Sequence, residues 1–456
     1  MSIFREYDIR GIYKEELTEE IAVGIGAAFG TRIRRAGGTV VSMGYDVRLS
    51  SPSLREALLS GILSTGINVM DIGACPTPAL YYSLFQLPVN GGIMITASHN
   101  PANYNGFKIC QGRQSLFGDD IQGIKAAIAS ADYEKGVGSL TVVDNFLSTY
   151  LDYFVGHFKS FAPQNGNRPL RIVMDCGNGA ASLIAPEIFK RLGIDLIELY
   201  CTPDGRFPNH HPDPTVSENL ADLIVEVKKQ KADFGIAFDG DADRLGAVDE
   251  HGAIIWGDRL TLLFATQILK EKPGAVIISE VKASQVLYDE ITRLGGRAIM
   301  WKAGHSLIKS KMRESGASLA GEMSGHIFFA DRFFGYDDAI YAACRLVEIV
   351  ISADPNKTPL SSHFSQFPTT YSTPELRVDC PEEKKWEIVS QCRKQLQLEF
   401  ETIDIDGVRF LFHGGWGLVR ASNTQPALVL RFEADSQSLL EKMEEKVRAM
   451  LKSLLH

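Results

Sequence analysis

The sequence predicts an α/β protein, with three similar mixed-sheet α/β domains and a smaller carboxyl-terminal α+β domain. Apolar strand patterns alternate with helical patterns through most of the chain, which is typical of parallel or mixed sheets flanked by helices. The alternation recurs after about 100–130 residues, which is a domain-sized interval and not a solenoid period. A chain of 456 residues is also too long for one hydrophobic core.

Each repeat begins with an apolar strand and a helical pattern and continues into a second strand after a glycine. The first strands are predicted at 40–46, 170–175 and 275–281, and the second at 66–69, 193–196 and 296–299. A third strand in each repeat stops at a polar loop, and these loops are 96–100, 239–244 and 321–326. Ligands of α/β sheets bind beyond the carboxyl ends of strands. We therefore expect one functional loop in each repeat.

The pattern changes beyond residue 360. Segments 361–363 and 368–370 have the composition of a linker. Strand-like runs follow at 375–378, 408–412, 417–419 and 428–432, and the chain closes with an amphipathic helix that carries Leu439, Leu440, Met443, Val447, Met450 and Leu451. The predicted domains are 1–143, 144–252, 253–361 and 362–456.

Composition limits the class of protein. Apolar content of 45% and charged content of 23% are those of a soluble globular chain. No stretch approaches the ~18 apolar residues of a membrane span, and the amino terminus lacks a signal peptide, so we expect a cytoplasmic protein without a membrane partner. Seven scattered cysteines form no metal or disulfide pattern. The net charge of −9 argues against nucleic acid, and a phosphorylated ligand would need a local cluster of Arg and Lys.

Ser98 stands at the end of the apolar run 92–95, where a parallel sheet places its ligands. Thr96, His99 and Lys108 offer donors and acceptors nearby, so Ser98 is a candidate nucleophile. A surface turn, in which Ser98 bonds its own backbone, is the alternative from these residues alone.

Asp239, Asp241 and Asp243 alternate directly after an apolar run. Three carboxylates this close together favour a bound cation, and oxygen ligands favour Mg²⁺ before Ca²⁺. An EF-hand is disfavoured, because its sixth position would be Arg244 instead of Gly and the preceding segment is strand-like. A solvated acidic turn neutralised by Arg244 is the other alternative.

Two further loops have polar sequences typical of ligand binding. Residues 420–426 combine Arg, hydroxyl and amide side chains between two strands, which favours a phosphate-binding loop, with an ordinary polar hairpin as the alternative. Residues 322–326 offer a carboxylate, a hydroxyl and an imidazole that could bind sugar hydroxyls. The segment 210–214, with two adjacent histidines, is interpreted as a structured loop and not as a metal site.

These loops, in this order, resemble the four signature loops of the α-D-phosphohexomutases. The motifs are Thr96–Pro101, Asp239–Arg244, Gly321–His326 and Arg420–Pro426, accompanied by Tyr7–Gly11, Asn105–Lys108 and Lys302–Ser306. The resemblance covers essentially the whole chain, and Met323 and the 210–214 segment are similar to the phosphomannomutase/phosphoglucomutase branch. Ala242 stands where the family often has Gly, and Ala303 where Thr is frequent.

The resemblance implies four domains around a central cleft and a reversible interconversion of hexose 1-phosphate and hexose 6-phosphate through a 1,6-bisphosphosugar. Ser98 would be carried as phosphoserine, and Ser98, Asp239, Asp241 and Asp243 would bind Mg²⁺. The other implied catalytic groups are His99, Lys108 and Arg244. The implied substrate-binding residues are Tyr7, Arg10, Lys282, Gly304, His305, Glu322, Ser324, His326, Arg420, Ser422, Asn423 and Thr424.

A hexose 1,6-bisphosphate is the implied activator, and a phosphosugar is the implied partner of a monomer or weak dimer. Two alternatives remain at this stage. One is a mutase for glucosamine phosphate, which Met323 disfavours because that branch usually has Gln there. The other is a non-catalytic protein that binds a sugar phosphate or a metal on the same scaffold.

Overall fold

The computed structural model describes residues 3–158, 168–353, 358–422 and 426–455. The chain forms two compact units. The first comprises Met1–Leu260 and Ser324–His363, and the second comprises Thr261–Met323 and Phe364–His456. The predicted loops 96–100 and 239–244 belong to the first unit, whereas 420–426 belongs to the second.

The first unit begins with a seven-stranded mixed sheet. Its elements are β1 (Ile9–Ile12), α1 (Glu19–Arg35), β2 (Val40–Tyr45), α2 (Ser51–Leu63), β3 (Asn68–Ala74), α3 (Thr77–Gln86), β4 (Gly91–Ile95), β5 (Tyr104–Gln111), β6 (Gln114–Ser115), α4 (Asp119–Ser130), β7 (Leu140–Val142) and α5 (Phe146–His157). The strand order is β1-β5-β4-β2-β3-β7, with β6 beside β5. Strands β4, β2, β3 and β7 are parallel, and β5 is antiparallel to β4. Phe29, Val41, Leu58, Ile93 and Phe107 are fully buried in the core beneath this sheet.

A second sheet in the same unit has the order β12-β11-β10-β8-β9. The elements here are β8 (Arg171–Asp175), α6 (Ala185–Arg191), β9 (Asp195–Leu199), α7 (Ala221–Gln230), β10 (Phe234–Phe238), β11 (Leu245–Asp249) and β12 (Ile254–Ile255). Strand β10 lies parallel to β8 and antiparallel to β11, and the loop of three aspartates joins β10 to β11.

The second unit opens inside α8 (Gly257–Glu271) and continues with β13 (Val276–Glu280), α9 (Gln285–Arg293), β14 (Arg297–Trp301), α10 (His305–Ser315) and β15 (Leu319–Gly321). Strand β13 lies between β14 and β15 and is parallel to both. The chain then returns to the first unit for β16 (Ile327–Phe329) and α11 (Ala339–Ser352).

The rest of the second unit is an antiparallel sheet with two helices. Its elements are β17 (Tyr371–Ser372), β18 (Leu376–Asp379), α12 (Lys385–Leu396), β19 (Glu401–Ile403), β20 (Val408–Phe412), β21 (Gly415–Ala421), β22 (Ala427–Ala434) and α13 (Gln437–Leu455). The amphipathic pattern of α13 buries Leu440, Met443, Val447 and Leu451 against this sheet, as the sequence predicts.

The predicted fold class is confirmed, and each predicted strand that precedes a functional loop is present. The predicted linker at 361–363 lies at the boundary between the two units, which falls between His363 and Phe364. This segment is a short 3-10 helix, Leu360–His363, and the Ser361 side chain and backbone nitrogen both hydrogen-bond to the Glu250 carboxylate. The acceptor, Glu250, is half-buried and lies 111 residues away in the sequence. In the described part of the chain, no helix combines the length and apolar character that a membrane crossing requires.

Asp338 caps the amino terminus of α11 from a buried position. Its carboxylate accepts hydrogen bonds from the Tyr341 backbone nitrogen at 2.9 Å and from the Tyr150 hydroxyl at 2.6 Å. Desolvation by burial raises the pKa of Asp338 to about 7. The folded protein therefore binds this proton more tightly than the unfolded chain does, and the carboxyl destabilises the fold increasingly as the pH rises toward 7.

We expect Asp338→Asn to keep the capping oxygen and remove this penalty. The variant should gain on the order of 2–4 kcal/mol in free energy of unfolding over the wild type at pH 8, and the gain should disappear near pH 4. Urea unfolding at a series of pH values measures this difference. A difference that stays constant with pH would contradict the buried, proton-binding role of Asp338.

Candidate active site

Ser98 follows β4 and lies in the left-handed backbone region, with a φ of +50°. A non-glycine residue in this region carries local strain, which persists only where surrounding contacts hold it. The Ser98 hydroxyl donates a hydrogen bond to Asp239 Oδ2 at 2.7 Å, and the Ser98 backbone nitrogen donates to the Thr96 hydroxyl at 3.0 Å. The side chain is therefore aimed at the aspartate loop.

Asp239, Asp241 and Asp243 are all fully buried, and their carboxylate oxygens lie within 4.8 Å of one another. Burial and the charges of the other two aspartates raise the pKa of Asp239 well above its ordinary value. The buried Asp241 Oδ1 has no hydrogen-bond partner among the described residues. Three convergent carboxylates with an unsatisfied oxygen fit a hard divalent cation, so the acidic site suggests a divalent metal.

Lys108 on β5 is the counter-charge to this cluster. Its ammonium lies 2.7 Å from Asp241 Oδ2 and also hydrogen-bonds to Asp243 Oδ2. Burial opposes the charge on Lys108, but the Asp241 and Asp243 carboxylates outweigh it and raise its pKa. The Thr77 hydroxyl at the start of α3 donates a further bond to Asp241 Oδ2 at 2.6 Å.

Ala242 lies inside the aspartate loop with a φ of +63° and no solvent exposure. This left-handed conformation explains in physical terms why a glycine suits the position. The small Ala side chain is accommodated, and the three aspartates converge around it.

Arg244 is the last residue of the aspartate loop. Its side chain contacts His326, which in turn contacts Asp337. Its Nε donates to His326 Nε2 at 3.0 Å, and His326 Nδ1 lies 3.0 Å from Asp337 Oδ2. Arg244 Nε also lies 3.9 Å from Asp239 Oδ2. The family resemblance implies that His326 binds substrate. In the structure, His326 lies against Arg244 and against Asp243 and Asp337 of the first unit.

His99 and Arg10 lie beside the Ser98 loop. His99 Nδ1 is 3.2 Å from the Ser98 hydroxyl, and burial together with nearby Arg244 holds the pKa of His99 well below its ordinary range. The Arg10 guanidinium hydrogen-bonds to the Asn100 side chain and pairs with Asp8. Tyr7 is half-buried just before β1.

The structured-loop interpretation of 210–214 is also confirmed. His210 Nε2 lies 2.9 Å from Asp175 Oδ2, and its Nδ1 lies 2.9 Å from the His211 carbonyl. The Pro212 carbonyl accepts a bond from the Gly240 backbone nitrogen at 3.1 Å, so the segment supports the aspartate loop from behind.

The second unit holds a separate cluster of charges around Lys282. The Lys282 ammonium lies 3.1 Å from Glu375 Oε2 and 3.7 Å from Glu280 Oε1. The charge of Lys282 lowers the pKa of Glu375 to about 2. The buried Glu280 carboxylate also accepts bonds from the backbone nitrogens of Lys282 and Met323, so it links the segment of Lys282 to the predicted loop 321–326.

Glu322 and Arg420 belong to the same cluster. Glu322 Oε1 accepts a bond from the Gly304 nitrogen at 2.7 Å, while its buried Oε2 has no hydrogen-bond partner within the described ranges. Asp406 Oδ2 lies 3.0 Å from Arg420 Nη2 and accepts from the Ala303 nitrogen at 3.1 Å. Sequence segments more than 100 residues apart therefore converge here.

Three of the remaining predicted residues, His305, Ser324 and Ser422, lie within the described ranges. His305 is the first residue of α10 and is nearly buried, and Ser324 is half-buried at the return to the first unit. Ser422 is buried, and its carbonyl accepts a bond from the Lys385 ammonium at 2.6 Å. The predictions for Asn423 and Thr424 lie outside the described residues.

Sequence reasoning missed Thr77, Asp337, Glu280 and Asp406. Each supports a predicted residue through a hydrogen bond or ion pair, and each lies outside the four loops. Asp337 directly precedes Asp338, the capping residue of α11. These two adjacent aspartates were the one local sign in the sequence of a special role, and the structure buries both. The others carry no spacing signal, because only tertiary contact selects them.

The first-unit group has the parts of a phosphoryl-transfer site. It combines a hydroxyl in a strained turn, an acidic metal-type cluster and the cations Lys108 and Arg244. The second-unit group combines Lys282 and Arg420 with an unsatisfied carboxylate oxygen, which suits a ligand with both anionic and hydroxyl groups.

Four family models match the chain in order. They describe phosphoglucomutase/phosphomannomutase alpha/beta/alpha domain I over residues 1–135, domain II over 148–252, domain III over 256–371 and the C-terminal domain over 375–450. A phosphomannomutase/phosphoglucomutase of Pseudomonas aeruginosa is 47% identical over 456 residues, which is 99% of this chain and 96% of that protein. A phosphoglucomutase of Neisseria gonorrhoeae is 43% identical, over 100% of this chain and 97% of that protein.

Among solved structures, a phosphoglucomutase/phosphomannomutase family protein from Burkholderia thailandensis has a TM-score of 0.91 and 42% identity. The match covers 99% of this chain and 97% of that one. The fold and the comparisons define an isomerase-type phosphotransferase, a mutase. The chain belongs to the α-D-phosphohexomutase family, in its phosphoglucomutase/phosphomannomutase group.

The contact between Gly240 and Ser98 gives a direct test of this geometry. A Cβ added to Gly240 would lie 2.3 Å from the Ser98 carbonyl oxygen, a backbone atom that no side-chain rotation can move. We expect Gly240→Ala to displace the Ser98 loop and to lower kcat by about 10²-fold, because a shift of about 1 Å misaligns the reacting groups.

Steady-state assays of mutase activity measure this effect, with circular dichroism as the folding check. The matched control is Gly123→Ala in α4, where an added Cβ meets nothing within 4 Å. If Gly240→Ala were as active as Gly123→Ala, the close contact between the Ser98 loop and the aspartate loop would not be needed for activity.

Proposed function

We propose that this mutase interconverts hexose 1-phosphate and hexose 6-phosphate, on mannose and glucose phosphates, through a phosphoserine enzyme and a 1,6-bisphosphosugar. Phosphorylated Ser98 would transfer its phosphoryl group to the free hydroxyl of the sugar phosphate. The bisphosphate would then return its other phosphate to Ser98. The observation that carries the proposal is the Ser98 hydroxyl, held 2.7 Å from Asp239 within a cluster of buried acids and cations.

In this proposal, Ser98 is the nucleophile, and Asp239, Asp241 and Asp243 hold Mg²⁺ together with Ser98. When bound, the ion would supply positive charge against the phosphoryl oxygens in transit. Its fit is supported by the three convergent carboxylates and by Asp241 Oδ1, which has no hydrogen-bond partner in the part of the chain that the structure describes.

Lys108 and Arg244 would place fixed positive charge beside the transferring phosphoryl group. Lys108 already contacts two of the aspartates, and Arg244 is oriented by its bond to His326. His99, with its lowered pKa and its ring nitrogen 3.2 Å from the Ser98 hydroxyl, is suited to accept or return a proton as the neutral imidazole.

Substrate binding is assigned to two groups of residues. Glu322 and Ser324 would bind sugar hydroxyls, and the unpartnered Glu322 Oε2 supports the first of these roles. The other proposed substrate contacts are Tyr7, Arg10, Lys282, Gly304, His305, His326, Arg420, Ser422, Asn423 and Thr424. Within this set, Arg420, Ser422, Asn423 and Thr424 would hold the phosphate that is not transferred, and Arg420 would be its charged anchor.

Several further properties are part of the proposal. Hexose 1,6-bisphosphate would activate the enzyme by phosphorylating Ser98, and the protein would act in the cytoplasm as a monomer or weak dimer. The functional domains would be 1–143, 144–252, 253–361 and 362–456, each contributing one loop. Values of kcat/KM for mannose, glucose and glucosamine 1-phosphates would test the substrate class, and a clear preference for glucosamine would contradict it.

The central test is the modification of Ser98. After incubation with glucose 1,6-bisphosphate, we expect intact-mass analysis to show a gain of one phosphoryl group in the wild type and none in Ser98→Ala. The matched control is Ser130→Ala on the exposed end of α4, which should gain the group as the wild type does. Turnover near the wild-type value in Ser98→Ala would remove Ser98 as the nucleophile.

A second test concerns the phosphate anchor. Arg420→Ala removes a buried guanidinium, so we expect KM for glucose 1-phosphate to rise by about 10–100-fold with a smaller change in kcat. Arg393→Ala removes an exposed arginine of the same unit that pairs with Asp404, and its KM should stay near the wild-type value. An unchanged KM in Arg420→Ala would exclude this residue from phosphate binding.

A further inference from the structure

We infer that Arg48 is a positioning residue for phosphoryl transfer: its buried guanidinium holds the Ser98 loop, residues 98–104, in the conformation that directs the Ser98 hydroxyl to Asp239. The inference rests on the proposed role of Ser98. Arg48 lies beyond the end of β2, outside all the motifs considered above.

The guanidinium donates hydrogen bonds to four backbone carbonyls of this one loop. Arg48 Nη2 donates to the Ser98 carbonyl at 2.7 Å and to the Asn100 carbonyl at 2.6 Å. Arg48 Nη1 donates to the Pro101 carbonyl at 2.6 Å and to the Tyr104 carbonyl at 3.0 Å. One side chain therefore binds the loop at its start, middle and end.

Asp46 holds the guanidinium in place from the other side. Its Oδ2 lies 3.2 Å from Arg48 Nε, while its Oδ1 accepts from the Arg48 backbone nitrogen at 3.0 Å and from the Ser51 hydroxyl at 2.6 Å. The ring of Phe207 lies 5.0 Å from the guanidinium carbon. Arg48 is 1% exposed, so the partners of its guanidinium are protein groups and not solvent.

The chemistry of these contacts requires arginine. A planar guanidinium presents donors in a fixed fork that can reach several carbonyls at once, whereas a lysine ammonium is a single point with three donors on a flexible stem. Burial of a charged group is costly unless other groups pair with it. Four carbonyls accept hydrogen bonds from Nη1 and Nη2, and the Asp46 carboxylate supplies the opposite charge 3.2 Å from Nε, although Nε makes no hydrogen bond within the described residues.

The loop needs such a support because Ser98 is strained. Its φ of +50° is disfavoured for a residue with a side chain, and its carbonyl, the acceptor of Arg48 Nη2, also packs against Gly240 of the aspartate loop. Arg48 on one side and Gly240 on the other thus determine where this carbonyl lies. The position of the carbonyl determines the direction of the Ser98 side chain.

The test is Arg48→Lys, which keeps a positive charge beside Asp46 but loses the fork. We expect kcat to fall by about 10²-fold while KM for glucose 1-phosphate stays within about threefold, because the misplaced group is the nucleophile and not a substrate anchor. Phosphorylation of Ser98 by glucose 1,6-bisphosphate, followed by intact mass, should slow by a similar factor. The affinity for Mn²⁺ alone, measured by electron paramagnetic resonance, should stay within about threefold, because three of the four proposed metal ligands, the aspartates, belong to a different loop.

Arg55→Lys is the matched control. Arg55 is a mostly buried arginine of the same domain, and its guanidinium pairs with Asp71 and Glu56. The Arg55→Lys variant should lose stability without the selective fall in kcat. Equal kcat in Arg48→Lys and the wild type would overturn the inference, and so would a joint loss of kcat, KM and Mn²⁺ affinity, which would indicate a purely structural role.

If Arg48→Lys does not fold, Asp46→Asn decides the question, because it weakens the orientation of the guanidinium while leaving the guanidinium in place. A fall in kcat at constant KM supports the inference, and an unchanged kcat or a second failure to fold overturns it. A different result would contradict the proposed function: the wild type itself would acquire no phosphoryl group on Ser98.

Discussion

The confinement of three carboxylates beside one serine is the constraint on which the rest of the site depends. Asp239, Asp241 and Asp243 are fully buried with carboxylate oxygens within 4.8 Å, and burial together with the charges of the other two aspartates raises the pKa of Asp239. The cluster is tolerable only because Lys108 neutralises part of it and because further positive charge can be accommodated. A site that must hold a phosphoryl group in transit needs this same excess of placed charge.

The second unit also contains closely paired charges, but there the carboxylates hold two cations in place. Lys282 and Arg420 are each held by carboxylates that leave them charged, and the low pKa of Glu375 is a measure of that pairing. Because the carboxylates fix these cations in advance, an anionic ligand meets oriented donors and does not have to order flexible side chains. The unpartnered Glu322 Oε2 adds an acceptor for hydroxyl groups to the same cluster.

Much of the fold and the positions of the polar loops could be predicted from the sequence. Alternating apolar strands and helices predicted the sheets, and the polar residues after 95, 238 and 319 marked the loops, because a buried parallel strand must end before its ligands begin. The family resemblance assigned roles to Ser98 and the aspartates. The composition of 361–363 did not reveal that Ser361 has a distant acceptor in Glu250. For the same reason the supports Thr77, Asp337 and Asp406 went unrecognised.

The sequence by itself determined the secondary structure, the order of the loops and the residue types that carry the chemistry, since these depend on local periodicity and on side-chain chemistry. The tertiary structure alone decided which groups act together. It placed His326 against Arg244, and it enclosed Arg48 among four carbonyls of the Ser98 loop. The physical reason is that burial makes pairing obligatory, and the partner that satisfies a buried charge is selected by the packing of distant segments, which no local pattern records.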